Sequence, residues 1–275
     1  MLVCAFAKQL PNRFPVGPFR REPAMTREAL TVLAFLAAAL PLRAGDPHVI
    51  AVDSNRTLYE IDIATGAKTQ IGIVSANAST TAGLAIGAAN TAYLTSTGND
   101  SLYTLDLATG TATFVGAYGD AAIVMHGLEY VPTTDTLFGV SSHNNGLYVI
   151  DKTTGLATLV GTSGLTSFTN LGWNAASGTM YATNSGTDSL YTMNLATGAT
   201  TLVGPLTGPT NPNGLAYDPD NGNLYLVDNT TDTFYTIDMT TGAATAIGST
   251  GTGNLLGLAY INGPIPVELM GFTIE

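Results

Sequence analysis

From residue 48 onward the chain alternates short apolar bursts with small polar residues. Each burst is 4–7 residues long, rich in Thr, Val, Ile, Leu and Tyr, and bounded by Gly, Asn, Asp or Ser. That length, with β-branched and aromatic enrichment, predicts strands rather than helices.

The bursts recur. The phrase Leu102-Tyr103-Thr104-Leu105-Asp106-Leu107-Ala108-Thr109-Gly110 has counterparts at residues 58–66, 147–155, 190–198 and 234–242. Its fifth residue stands at Asp62, Asp106, Asp151, Asn194 and Asp238, so the spacing is 44, 45, 43 and 44. A second apolar run follows each copy and ends at Gly72, Gly116, Gly161, Gly204 or Gly248. A second phrase, as in Gly214-Leu215-Ala216-Tyr217, recurs at residues 83–86, 127–130, 170–173 and 257–260. With one further run between the phrases, each unit carries four strands, the period and strand number of a propeller blade.

The phase at the ends predicts how the array closes. Residues 48–53 match the second strand of a unit, and residues 257–260 match a first strand. Pairing them gives an all-β, five-bladed β-propeller of four-stranded antiparallel blades, closed by a C-terminal innermost strand in the N-terminal blade. Closure removes the unpaired edges of an open array.

The repeated residues read as scaffold. Asp-x-x-Thr-Gly between strands is a tight turn, with Asp capping backbone N–H groups and Gly supplying positive φ. Asn194 can take over that capping role, whereas a general base could not be replaced in this way. Tyr59, Tyr103, Tyr148, Tyr191 and Tyr235 are expected to pack between blades, and Trp173 to fill core. Residues 218–223 share carboxylates with the first half of a calcium loop but lack its closing Glu, and are read as a turn.

Charge narrows the partners. The formal net charge is −11, and six of the nine Lys and Arg stand in residues 1–44. Arg56, Lys68 and Lys152 alone remain in the body, too few to grip a phosphate backbone or an anionic membrane. The single cysteine, Cys4, leaves the body without a disulfide or a thiol nucleophile. No Gly-x-Ser-x-Gly, phosphate loop or His-Glu-x-x-His is present.

At the N-terminus, Met25-Thr26-Arg27-Glu28 precedes an apolar run over residues 29–42 and a small-residue exit at Ala44-Gly45. Fourteen residues are too few to span a bilayer, and the pattern is that of a signal peptide. The expected organisation is a leader that is untranslated or disordered over 1–24, a signal peptide over 25–45, a propeller over 46–263 and a linker over 264–275. A secreted, periplasmic or cell-surface location follows, with no membrane insertion of the mature chain.

Candidate function sits on the loop face. Alignment of the units puts Ala82, His126, Thr169, Asn213 and Leu256 just before strand one, around the channel mouth. Asp53, Ser96, Ser141, Asn184 and Asp228 end strand two on the same face, and His143 lies in the loop beyond. These positions vary among copies, as a ligand face would. The ligand-face set is therefore His126, Thr169, Asn213, Asp53, Ser141, His143, Asn184 and Asp228. His126 and His143 belong to one unit and are placed to approach each other.

The run Leu-Tyr-x-Ile-Asp-x-x-Thr-Gly resembles the repeat of secreted bacterial β-propellers of the NHL/YWTD and quinoprotein-like superfamilies, over residues 48–260. Quinoprotein repeats dock neighbouring blades with a tryptophan. Here the equivalent run ends in Ile-Gly or Val-Gly, so the resemblance does not extend to pyrroloquinoline quinone. The segment 264–272 resembles the linker into C-terminal anchoring modules of such proteins. The reading that results is a monomeric, non-enzymatic binding or scaffold propeller that engages a protein or a glycan, with no nucleic-acid partner and no cofactor. The alternative is a calcium- or zinc-dependent hydrolase or lactonase-like enzyme at the channel mouth, using Asp53, Asp228 and His126 with Asn184 and Asn213.

Overall fold

A computed structural model describes residues 48–263. The leader, signal-peptide and linker segments of the sequence reading lie outside these residues. Five four-stranded antiparallel sheets make up the described chain. The first contains β1 (His48–Asp53), β2 (Thr57–Ile61) and β3 (Lys68–Ile73). The second is β4 (Thr81–Ile86), β5 (Ala92–Ser96), β6 (Ser101–Leu105) and β7 (Ala112–Ala117). The third is β8 (Met125–Val131), β9 (Thr136–Ser141), β10 (Gly146–Ile150) and β11 (Ala157–Thr162). The fourth is β12 (Phe168–Asn174), β13 (Thr179–Asn184), β14 (Ser189–Met193) and β15 (Thr200–Pro205). The fifth is β16 (Pro212–Asp218), β17 (Asn223–Asp228), β18 (Thr233–Ile237) and β19 (Ala244–Ser249).

The last strand, β20 (Leu255–Ile261), joins the first sheet. It pairs antiparallel with β1, Val49 opposite Tyr260 and Ala51 opposite Leu258. The inner strands touch in a closed cycle, β20 to β4, β8, β12, β16 and back to β20. The predicted five-bladed propeller and its closing strand are thus the observed architecture.

Each apolar cluster spans two neighbouring blades, so the core lies between the sheets. Leu58 and Ile50 of the first blade pack with Leu84 and Leu94 of the second. Val49 and Ala51 pack with Tyr225 and Phe234 of the fifth. Every such side chain is at most 2 % exposed, and truncating one of the Leu, Ile or Phe residues to Ala would cost about 2–5 kcal/mol. Closing the ring is what gives the fifth interface its partner.

The repeated phrase performs three local tasks. Asp151 Oδ1 accepts the N–H groups of Thr153 and Thr154 at 2.8 and 3.0 Å, and Asn194 Oδ1 does the same for Ala196 and Thr197. These exposed turns hold the Asp151 carboxyl down at about 2, through the hydroxyl and backbone donors of Thr153 and the backbone of Thr154. Gly155 has φ +75°, and a Cβ there would strike the Gly116 carbonyl of the preceding blade. The tyrosine rings pack while their hydroxyls tie the loop between strands two and three: Asn144 donates to Tyr148 at 2.7 Å, and Asn99 donates to Tyr103 at 2.8 Å.

Candidate functional site

Two ends of the channel differ. At the loop end, strand one starts a residue or two earlier than the sequence alignment placed it. His126, Thr169, Asn213 and Leu256 accordingly sit on β8, β12, β16 and β20. With Ser142, His143, Ser167 and Ser185 they line an open depression of about 460 Å³. Four blades contribute, and neither an acid nor a Lys or Arg is among the lining residues.

His126 and His143 do come together, through Ser142. Its Oγ lies 2.7 Å from His126 Nδ1 and 3.1 Å from His143 Nδ1. A hydroxyl donates only one proton, so one imidazole must donate from Nδ1 while the other accepts. Burial, then the nearby His143, holds the His126 pKa below its ordinary value, against a smaller opposing hydrogen bond with the Val124 backbone. His126 is therefore neutral at pH 7 and presents its remaining ring nitrogen as a hydrogen-bonding group.

Of the sequence-predicted set, His126, His143, Thr169 and Asn213 line this depression. Asp53, Ser141, Asn184 and Asp228 do not; they are buried and serve the loops behind it. Asp228 Oδ1 accepts Thr230 and Thr231 N–H at 3.0 and 2.8 Å, and Oδ2 accepts Thr210 and Asn211 N–H at 2.8 and 2.6 Å. Asp53 Oδ1 accepts Asn55 and Thr57 N–H, and its Oδ2 meets the Tyr59 hydroxyl. Ser141 Oγ accepts Val124 N–H, and Asn184 Oδ1 accepts Gly186 and Thr187 N–H. These side chains shape the rim by capping backbone that would otherwise be unpaired.

The ligand set imagined for a metal enzyme is not assembled. Among the described residues no three His, Cys, Asp or Glu converge on one point. Both Asp53 and Asp228 spend their oxygens on loop backbone and the Tyr59 hydroxyl.

Sequence reasoning missed Ser142, Ser167 and Ser185. A signal existed: Ser142 and Ser185 directly follow the strand-two ends, and Ser167 directly precedes β12. It missed Asn170 as well. Four blades have Gly at this position (Gly83, Gly127, Gly214, Gly257), and in the fourth Asn170 Nδ2 reaches the Leu256 carbonyl at 3.2 Å, past the intervening fifth blade.

At the opposite end, inner-strand residues of all five blades line a second space of about 130 Å³. Its walls include Tyr130, Trp173, Tyr217 and Tyr260, and Glu129 is its only acid. Trp173 was expected to be core filler; it is half-buried, packs against the core between the third and fourth blades and also lines this mouth.

Comparison with known proteins supports the architecture. A family model described as a repeat of unknown function (DUF6923) matches residues 131–253. The chain has the fold of a β-propeller. Its fold resembles that of nidogen in the nidogen/laminin complex, at 14 % identity and a TM-score of 0.56 over 78 % of this chain and 98 % of that one. A protein of unknown function from Bacteroides thetaiotaomicron aligns at 15 % identity and a TM-score of 0.53, over 80 % and 68 %. Virginiamycin B lyase from Staphylococcus aureus aligns at 14 % identity and a TM-score of 0.50, over 77 % and 73 %. No curated protein matches the chain.

Proposed function

We propose that this propeller is an exported, non-enzymatic binding protein whose loop-face depression takes a hydroxyl-rich ligand, a glycan or a glycan-bearing protein surface. The observation that carries the reading is the lining itself. Hydroxyl, amide and imidazole groups of Ser142, Ser167, Thr169, Ser185, Asn213 and the two histidines meet in one neutral, open depression. Such groups donate and accept hydrogen bonds in either direction, as sugar hydroxyls require. The capped loops hold them in place, which lowers the ordering cost of binding.

The test is a glycan array probed with the intact chain, followed by titration calorimetry of the best ligand. Ser142→Ala and Asn213→Ala should each weaken binding by roughly tenfold, about 1.4 kcal/mol. An array without a hit, or a ligand indifferent to both substitutions, would overturn the reading. Export is tested separately by sequencing the N-terminus of protein recovered from the medium, which should begin near residue 45.

A further inference from the structure

The second mouth holds a feature that the scaffold does not need. At one inner-strand position the blades carry Ala85, Glu129, Gly172, Ala216 and Ala259. Four are small and the third blade alone has a carboxylate. Glu129 Oε1 accepts the Tyr130 N–H at 2.9 Å, and Oε2 accepts the Trp173 N–H of the next blade at 3.1 Å. No Lys or Arg lines the space to neutralise it. Burial raises its carboxyl to about 7, although those two backbone N–H groups pull the other way. An uncompensated acid at a position where Ala and Gly suffice costs stability, which is the signature of a group kept for a ligand.

The walls indicate which ligand. Tyr130, Trp173, Tyr217 and Tyr260 line the same space as the carboxylate, and aromatic rings attract cations. One rim ring already does so, because the Lys152 ammonium lies 5.1 Å from the Tyr130 ring centroid, held by Asp135. Further negative charge backs the opposite wall. Tyr260 donates to Asp220 Oδ2 at 2.8 Å, and fully buried Asp218 leaves Oδ2 without a partner. A phosphate or carboxylate ligand would meet repulsion from these acids.

We propose that the mouth opposite the loop face binds a small organic ammonium group, seated on Glu129 and enclosed by Tyr130, Trp173, Tyr217 and Tyr260. The site is independent of the loop-face depression. The recognised chemistry is an alkylammonium, supplied by a free amine or by a lysyl side chain.

Trp173 is the only tryptophan in the chain, so its fluorescence reads the site directly. The intact protein is titrated at pH 8 and constant ionic strength with tetramethylammonium, n-butylammonium and N-acetyl-lysine methylamide. Sodium chloride and neopentyl alcohol serve as the ionic and the neutral isosteric controls. A saturable change with at least one of the ammonium compounds, absent with both controls, is expected; which compound binds identifies the source. Glu129→Gln, which keeps a hydrogen-bonding oxygen and loses the charge, should weaken binding at least tenfold with an unchanged circular dichroism spectrum. Tyr217→Leu, a change at the wall alone, should weaken it severalfold. No saturable change with any ammonium compound, equal binding of neopentyl alcohol, or full affinity in folded Glu129→Gln would overturn the proposal. Should Glu129→Gln fail to fold, unchanged affinity in Tyr217→Leu would overturn it.

Discussion

The two mouths of one channel are built on opposite plans. On the loop side, the buried acids at the strand-two ends are engaged by loop groups: Asp228 alone accepts four backbone N–H groups. What remains for a ligand is neutral. On the turn side, aromatic walls enclose a single acid whose burial no cation offsets. The contrast teaches that the value of a carboxylate depends on its donors. With four of them it is a structural rivet, and with two and no counter-ion it is a strained group available to a partner.

Three substitutions would break or sharpen this contrast. Asp228→Ala removes the buried acceptor of four backbone N–H groups in the rim loops and should cost about 3 kcal/mol in urea denaturation. Ammonium binding at the far mouth should survive where the variant stays folded, and its loss there would erase the distinction.

Glu129→Gln should act in the other direction. A carboxyl raised from 4.5 to about 7 in the folded chain contributes stability below its unfolded value and loses it as pH climbs to 7. Replacing it should therefore leave stability little changed at pH 4 and raise it by up to about 3 kcal/mol at pH 8. Parallel denaturation curves at the two pH values check this, and a stabilisation independent of pH would refute it. The titratable groups around Glu129 that could distort the profile are Tyr130, Tyr217 and Tyr260, with Asp135, Lys152, Asp218 and Asp220 behind them.

The smallest effect concerns the histidine pair. His143→Gln removes a charge that depresses its neighbour, so the NMR titration midpoint of His126 should move upward while staying below its ordinary value. An unmoved midpoint would mean that the two rings do not sense each other across Ser142.

Nearly all of the fold was legible because the period is written in backbone demands. The Asp-x-x-Thr-Gly turn needs a cap and a positive φ, the Leu and Tyr positions need burial, and the unmatched strands at the two ends need each other. The site was legible only as an address. Alignment located the loop-face rim and brought His126 and His143 to it, yet could not tell side chains facing the depression (Ser142, Asn213) from those turned back to cap loops (Asp53, Asp228). That choice depends on where each loop's free backbone groups point, which no period records; even Asn213, which lines the depression, spends its amide N–H groups on Asn211. Glu129 and Asn170 lie outside the variable loops, as single exceptions inside a repeated inner-strand pattern, and an isolated exception within a strand carries no signal of a site.

The closing strand also governs how such a chain can be made. During synthesis the first blade waits with one edge bare until residues 255–261 emerge, about two hundred residues after β1. Its ring seam is the last joint to form and joins the most distant parts of the chain, a slow step by loop-closure arithmetic. A nascent or truncated chain would expose the β1 edge to any strand within reach, including that of a sister molecule. Premature termination between β19 and β20 would thus be expected to yield aggregates or strand-swapped oligomers, however sound the four completed blades.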